Sequence, residues 1–163
     1  MPSDNYLKLG DIKGESTAPD HEDSIEIMSF SVGTSINVTN RSTSGSPTDG
    51  APQPHDVAVT KSVDASSPLL YRACCQGQLI KEATISVNRT DGAGGQVEYL
   101  QIKMTDVIIS SFSQGGGGGS MPLDTISLNY GTINFTYVKT SGSDPSAQGN
   151  IAGGWNFEEN IPV

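Results

Sequence analysis

The chain of 163 residues carries a formal charge of −9 and has a pI of about 4.4. Such an acidic surface repels phosphate backbones, which argues against nucleic-acid binding. Low aromatic content and abundant Gly, Ser and Thr favour a β protein with long loops, and the length fits a single domain over residues 1–163.

No Sec-type signal peptide is expected at the start of the chain. Residues Met1–Tyr6 are polar and acidic, without the basic and apolar regions of a signal peptide. No apolar run is long enough to span a bilayer, so membrane insertion is not expected. We therefore expect a protein that is made in the cytoplasm and, if exported, leaves by a route that reads no signal peptide.

Short strands and one long polar segment make up the first third of the chain. A strand is predicted near Tyr6–Leu9 and another over Ile25–Val32, where the apolar parity switches after Ile27. Such a switch indicates a bulge or a strand that turns a barrel corner. The segment Thr39–Pro54 has no apolar periodicity and predicts a long loop, followed by a short strand at Val57–Val59.

One helix is predicted between Ser67, a favourable N-cap, and Gly77, a favourable C-terminal residue. Pro68 fits the first helical position. With roughly two and a half turns the helix is too short to be stable alone, so it must pack on the strands. Its apolar face is formed by Leu70, Ala73 and Cys74.

The most informative feature is a long hairpin, Val97 to Val138, whose arms meet at five consecutive glycines. Apolar residues of one parity predict a strand with one buried face, and the pattern changes phase at Gly131, which predicts a bulge there. The residues of that parity are Leu100, Ile102, Met104, Ile108 and Phe112. Val107 and Ile109, of the opposite parity, are expected to face outward and form a subunit interface.

Strands are also predicted at Ile80–Val87, before the hairpin, and at Ile151–Phe157, after it. No catalytic constellation accompanies the strands. His21 and His55 are placed in polar loops, and neither has a nearby Cys with which to build a metal site. The adjacent Cys74 and Cys75 are too close to bridge each other. We predict no catalytic, cofactor or metal site, and no enzyme.

Five segments together resemble, in order, the Hcp proteins, the haemolysin-coregulated tube subunits of bacterial type VI secretion systems. They are Leu7–Ser16, the helix with Ser67-Pro68, Ala73-Cys74 and Gly77, Gln96–Ile102, Ser110–Gly115 and Gly154–Asn156.

The resemblance implies a compact β-barrel of two sheets with one short flanking α-helix. It further implies homohexameric rings around a wide channel, stacked into a tube inside a contractile sheath and exported when the sheath contracts. The implied partners are other copies of the chain, the sheath, baseplate and spike proteins, and small effectors carried in the lumen.

Two loops acquire roles from the resemblance. The glycine loop is expected to be mobile and to lie near the channel, and its residues are Gly115, Gly116, Gly117, Gly118 and Gly119. An extended loop is expected to stack one ring on the next. The candidate stacking residues are Thr39, Asn40, Arg41, Ser42, Pro47, Asp49, Pro52 and Pro54.

Other functions fit the same pattern of strands. One is a ligand- or carbohydrate-binding β module, although the chain has a single Trp with which to stack on sugars. A phage-type tail tube protein and a hydrolase effector are further alternatives. A mass of about six subunits in solution would favour the tube subunit, and a monomer would favour the ligand-binding module or the enzyme.

Overall fold

A computed structural model describes residues 5–38, 48–90, 94–139 and 149–163. Within these ranges the chain forms ten strands and one helix, which confirms the predicted mainly-β fold with one short helix. The helix α1 spans Ser67–Gln76. The strands are β1 (Asn5–Leu9), β2 (Ile25–Glu26), β3 (Ser29–Val38), β4 (Thr48–Ser62), β5 (Leu79–Thr90), β6 (Gln96–Gly115), β7 (Leu123–Asn129), β8 (Thr132–Val138), β9 (Asn150–Asn156) and β10 (Ile161–Pro162).

Strand β6, with 20 residues, belongs to both layers of the fold. Its first half pairs with β5 and β8 in one layer, whose strand order is β10-β9-β8-β6-β5-β1-β2. Its second half pairs with β7 in the other layer, in which β7 pairs with β4 and β4 pairs with β3. The long hairpin is therefore confirmed, with its return arm divided into β7 and β8. The hydrogen-bonded ladder does not close, because β2 and β3 do not pair with each other in the described residues.

The chain passes from one layer to the other at Ile27 and Met28. The amide of Ile27 donates to the carbonyl of Asn5 in β1, whereas the next amide, that of Met28, donates to Thr60 in β4. This change of partner explains the switch of apolar parity after Ile27. A similar break separates β7 from β8, where the amide of Gly131 donates to the carbonyl of Thr105.

A single apolar core lies between the layers. Leu70 and Ala73 of α1 join it, so the short helix is stabilised by packing as expected. The helix ends at Gly77 in the left-handed conformation, with φ +59°. Ser66 occupies the N-cap position at the other end, without a capping hydrogen bond from its side chain. The prediction that Ser67 is the N-cap is wrong, because Ser67 is the first helical residue and uses its hydroxyl elsewhere.

The prediction of a loop over Thr39–Pro54 is wrong for its second part, because Thr48–Pro54 is the first half of β4. This half pairs with β3 alone, from Val38↔Thr48 to Thr34↔Pro54. Backbone hydrogen bonds hold a polar strand without any apolar periodicity, and an edge position tolerates proline. Of the candidate stacking residues, Asp49, Pro52 and Pro54 therefore lie in a strand, whereas Thr39, Asn40, Arg41, Ser42 and Pro47 fall outside the described residues.

None of the helical structure that is described is long and apolar enough to cross a membrane.

Candidate subunit-contact surfaces

Val107 and Ile109 are buried in the core of the chain itself, so the prediction that they form a subunit interface is wrong. The inward-facing side chains of β6 change parity at Asp106, which has a φ of +54°. Before Asp106 the buried residues have even numbers, as at Met104. Beyond it Val107 and Ile109 point inward, so the exposed apolar residue between them is Ile108.

Ile108 and Leu79 form an exposed apolar pair on neighbouring strands. They lie opposite each other in the pairing of β6 with β5, and their exposed fractions are 37% and 57%. Directly opposed side chains on one face of an antiparallel pair are in reach of each other. We call these two residues the Leu79–Ile108 pair.

An apolar groove lies where the two layers fail to join, between β3 and β9. It consists of two neighbouring hollows of about 340 and 230 Å³ that share Thr34, Trp155 and Phe157. Ile36, 42% exposed, lines the first hollow. The remaining lining residues are Val32, Gly33, Ser35, Pro52, Tyr130, Ile133, Phe135 and Gly154.

Two sets of hydrogen-bonding groups along this groove lack partners among the described residues. Strand β3 pairs only with β4 in the part of the chain that the structure describes, so its other edge has free backbone groups. The indole nitrogen of Trp155 is buried and has no acceptor among the described residues. Buried N–H groups are normally hydrogen-bonded, so the groove is suited to an occupant that supplies an acceptor.

The glycine loop connects β6 to β7, as the sequence predicts. Gly115 ends β6 opposite Leu123, and the loop proper runs through residues 116–122. A side chain added at Gly117 would meet nothing within 4 Å, whereas Gly119 has φ +92°. The mobility of the loop and its place near a channel stay predictions.

The base of the glycine loop rests on a buried ion pair. Lys61 of β4 and Asp124 of β7 lie opposite each other, both side chains are fully buried, and Nζ is 3.0 Å from Oδ2. Lys61 also contacts Asp64 at 3.0 Å and the hydroxyl of Ser67 at 3.1 Å. Ser67 donates to Asp124 as well, so the network joins α1 to both strands.

Hydrogen bonding decides the charge state of Asp124. Burial alone would raise the pKa of this carboxyl, but hydrogen bonds from Ser67, Gln114 and Lys61, together with the charge of Lys61, outweigh burial and lower the pKa. The ion pair is fully buried and links β4, β7 and α1, which is the position of a structural contact.

Sequence reasoning missed this network although a signal for it was present. Val57, Val59 and Lys61 share one parity of β4, and Asp124, Ile126 and Leu128 share one parity of β7. The period-two pattern that predicts buried valines also predicts a buried lysine and a buried aspartate. Two opposite charges on the buried face of two strands would have indicated a pair.

The remaining reactive residues are scattered. His21 stacks on Tyr6, whereas His55 lies in β4 and shares a hydrogen bond with Ser35, so its predicted place in a loop is wrong. Cys74 and Cys75 are free thiols. The described ranges contain no group of three His, Cys, Asp or Glu side chains that could hold a metal ion.

Comparison with known proteins gives a consistent result. A family described as "Type VI secretion system effector, Hcp" matches residues 6–137. Protein hcp1 of Pseudomonas aeruginosa is 32% identical over 162 residues, covering 99% of both chains, and the Major exported protein of the same organism is 29% identical over 82% of this chain and 81% of its own length.

Solved structures agree with this match. A type six secretion system protein superposes with a TM-score of 0.88 at 29% identity, covering 99% of each chain. Hcp1 from Salmonella typhimurium superposes with a TM-score of 0.78 at 25% identity over the whole of both chains.

Proposed function

Because this chain belongs to the Hcp family of type VI secretion system proteins, we propose that it is a structural subunit of the secretion tube. Six copies form a ring in this proposal, and rings stack into the tube. The chain works through the surfaces it presents to other copies of itself and to its cargo, and it catalyses no reaction.

The observation that carries the proposal is the apolar groove along the free edge of β3. A closed ring needs two different, complementary surfaces on each subunit, because every contact is heterologous and is repeated by rotation. The groove supplies one surface, with a strand edge and an unpaired indole N–H. The Leu79–Ile108 pair, on other strands, supplies a second apolar surface that is exposed in the single chain.

Cargo and neighbouring rings contact other parts of the chain in this proposal. The glycine loop faces the lumen, where bare backbone lets small effectors approach closely. The candidate stacking residues that do not line the groove, such as Pro54 of β4, contact the next ring. The sheath, baseplate and spike proteins are further partners that family membership suggests.

Export completes the proposal. The chain is made in the cytoplasm and leaves the cell as part of the tube, and its similarity to a protein named Major exported protein supports this route. Immunoblots of the culture medium, with and without a working sheath, test it. The protein should be absent from the medium when the sheath cannot contract, and undiminished export would contradict the proposal.

The ring itself is tested by light scattering on the size-fractionated protein and by electron microscopy. The wild-type chain should have the mass of about six subunits and show rings. Ile36→Glu, which places a charge in the groove, should give monomers of unchanged fold. Thr17→Glu adds the same charge in an exposed loop and should keep the ring. A monomeric wild-type chain would contradict the proposal.

A further inference from the structure

The groove between β3 and β9 is aromatic in its smaller hollow. Tyr130, Phe135, Trp155 and Phe157 all line this hollow of about 230 Å³. Trp155 also lines the larger hollow, and its indole N–H is buried without an acceptor among the described residues. A side chain that fits such a hollow has an aromatic ring to pack against the lining and an oxygen atom to accept a hydrogen bond from the indole.

Two exposed tyrosines have these features in the part of the chain that the structure describes. They are Tyr71 of α1, 59% exposed, and Tyr137 of β8, 44% exposed. The other large apolar side chains exposed there are aliphatic or are methionines, whose thioether is a weak acceptor. Tyr137 shares β8 with the groove residue Phe135 and so belongs to the groove's own side of the molecule. Because a contact that closes a ring joins two different surfaces, Tyr71 is the tyrosine suited to the groove of another copy.

Tyr71 is held in place before any contact with another copy. Its ring packs edge-on against Phe112 of β6, with 5.6 Å between the ring centroids and 88° between the ring planes. The helix that carries it is anchored in the core by Leu70 and Ala73. A tyrosine fixed in this way loses little conformational entropy on binding, and tyrosines are enriched among the residues that dominate interface energies.

Tyr71 is also connected to the two strands that carry the Leu79–Ile108 pair. The helix α1 leads through two residues, Gly77 and Gln78, into β5 at Leu79. Phe112, which Tyr71 contacts, follows Ile108 by four residues in β6. Tyr71 therefore adds an aromatic ring and a hydroxyl group to the side of the molecule that presents the Leu79–Ile108 pair.

We propose that Tyr71 of one copy inserts into the groove of the neighbouring copy. Its ring packs against the aromatic lining, and its hydroxyl oxygen accepts a hydrogen bond from the indole N–H of Trp155. Because this N–H is buried in the single chain, the indole turns as the tyrosine enters. The inference rests on the proposed ring and names the residue that anchors each contact within it.

Trp155 is the only tryptophan of the chain, so its fluorescence reports on the groove directly. In a dilution series, light scattering follows the dissociation of the ring while fluorescence follows the indole. The emission of Trp155 should move to longer wavelength as the ring dissociates, because water regains access to the groove. Tyr71→Ala should raise the midpoint concentration of assembly by about thirtyfold or more. Tyr71→Phe, which loses only the hydroxyl, should raise it by about three- to tenfold.

Two further variants serve as controls. Tyr137→Ala removes the other exposed tyrosine and should change neither the midpoint of assembly nor the emission of Trp155. The double variant Tyr71→Phe with Trp155→Phe should assemble no more weakly than Trp155→Phe alone, because the hydrogen bond is already lost in the single variant. Additive losses would contradict the hydrogen bond.

The proposal is overturned if the wild-type chain forms the ring and Tyr71→Ala assembles over the same range of concentration. It is also overturned if Tyr137→Ala weakens assembly as much as Tyr71→Ala does. Both results leave the proposed ring intact. A wild-type chain that stays monomeric at every concentration contradicts the ring itself, and the anchor with it.

Discussion

At the scale of single residues, the ion pair of Lys61 and Asp124 is the most costly to disturb. Both charges are fully buried, so each depends on the other and on the hydrogen bonds of Ser67. Buried pairs of this kind stabilise a fold little when compared with well-packed apolar residues. Removing one partner, however, strands the other charge in the core.

The first prediction concerns this pair. Lys61→Met should lower the free energy of unfolding by about 3–5 kcal/mol, because Asp124 loses its counter-charge. The double variant Lys61→Met with Asp124→Leu should regain part of that loss, since the fully buried carboxylate is then gone and only Asp64, 13% exposed, lacks its cation. Urea unfolding of both variants measures the difference, and a double variant no more stable than Lys61→Met would contradict the prediction.

The second prediction concerns pH. The pKa of Asp124 is lowered in the folded chain from its ordinary value of 3.8. Its ionised form therefore contributes stability that is fully present above 3.8 and is lost as the pH falls through the lower folded value. The stability difference between the wild type and Asp124→Asn should be largest near neutral pH and shrink below about pH 4.

Urea midpoints at several pH values provide this measurement. Asp11→Asn, at an exposed position, serves as the matched control and should differ from the wild type by a small amount at every pH. A difference between the wild type and Asp124→Asn that stays constant down to the acid limit would show that Asp124 is not the group responsible.

At the scale of elements, the pairing of β8 with β9 depends on one glycine. A Cβ atom at Gly154 would lie 2.2 Å from the carbonyl oxygen of Ile133 and 2.8 Å from Cα of Asn134, both backbone atoms that cannot rotate away. Gly153, the preceding residue in β9, has open space at the same position. The two glycines thus form a matched pair for testing how closely the strands approach.

The third prediction follows from that comparison. Gly154→Ala should destabilise the fold by about 1–3 kcal/mol or more, because the two strands must separate. Gly153→Ala should have a neutral or slightly stabilising effect, since alanine loses less conformational entropy than glycine in a strand. Thermal unfolding of the two variants measures this difference. Equal melting temperatures would contradict the close approach of β8 to β9 at Gly154.

The fourth prediction concerns the glycine loop. Gly117→Asp should leave both the fold and the ring intact, because a side chain at this position meets nothing within the chain. If the loop faces the lumen, the added charge should change the amount of effector that co-purifies with the ring. Light scattering measures the ring and mass spectrometry measures the cargo. A broken ring would place the loop at a subunit contact instead.

Much of the element order could be predicted from the sequence, since apolar parity, the Gly77 cap and the glycine loop are local signals. The change of parity at Asp106 could not be predicted, because an aspartate in a strand gives no signal that its φ is positive. The predicted outward orientation of Val107 and Ile109 was wrong for this reason. The first half of β4 was missed because its pairing with β3 depends on backbone hydrogen bonds and leaves no apolar pattern. The groove joins residues distant in sequence, so no local pattern could reveal it.

At the scale of the whole molecule, the two layers do not join between β3 and β9, yet the apolar core between the layers is buried. The core needs no partner, because the helix and both layers bury it within one chain. The groove and the Leu79–Ile108 pair, by contrast, contain exposed apolar side chains, and the edge of β3 along the groove has unpaired backbone groups among the described residues. We therefore expect each chain to fold first and then to associate through these two surfaces.

The fifth prediction tests that association most directly, by mixing two defective chains. Ile36→Glu places a charge in the groove and Ile108→Glu places a charge in the Leu79–Ile108 pair, so each variant alone should be monomeric. In the mixture, the intact Leu79–Ile108 pair of the Ile36→Glu chain can bind the intact groove of the Ile108→Glu chain. The two surfaces left over are both altered, so no third chain can be added. Light scattering should then show a dimer of one chain of each kind. A mixture that stays monomeric, or either variant alone still forming a ring of about six subunits, would contradict the account.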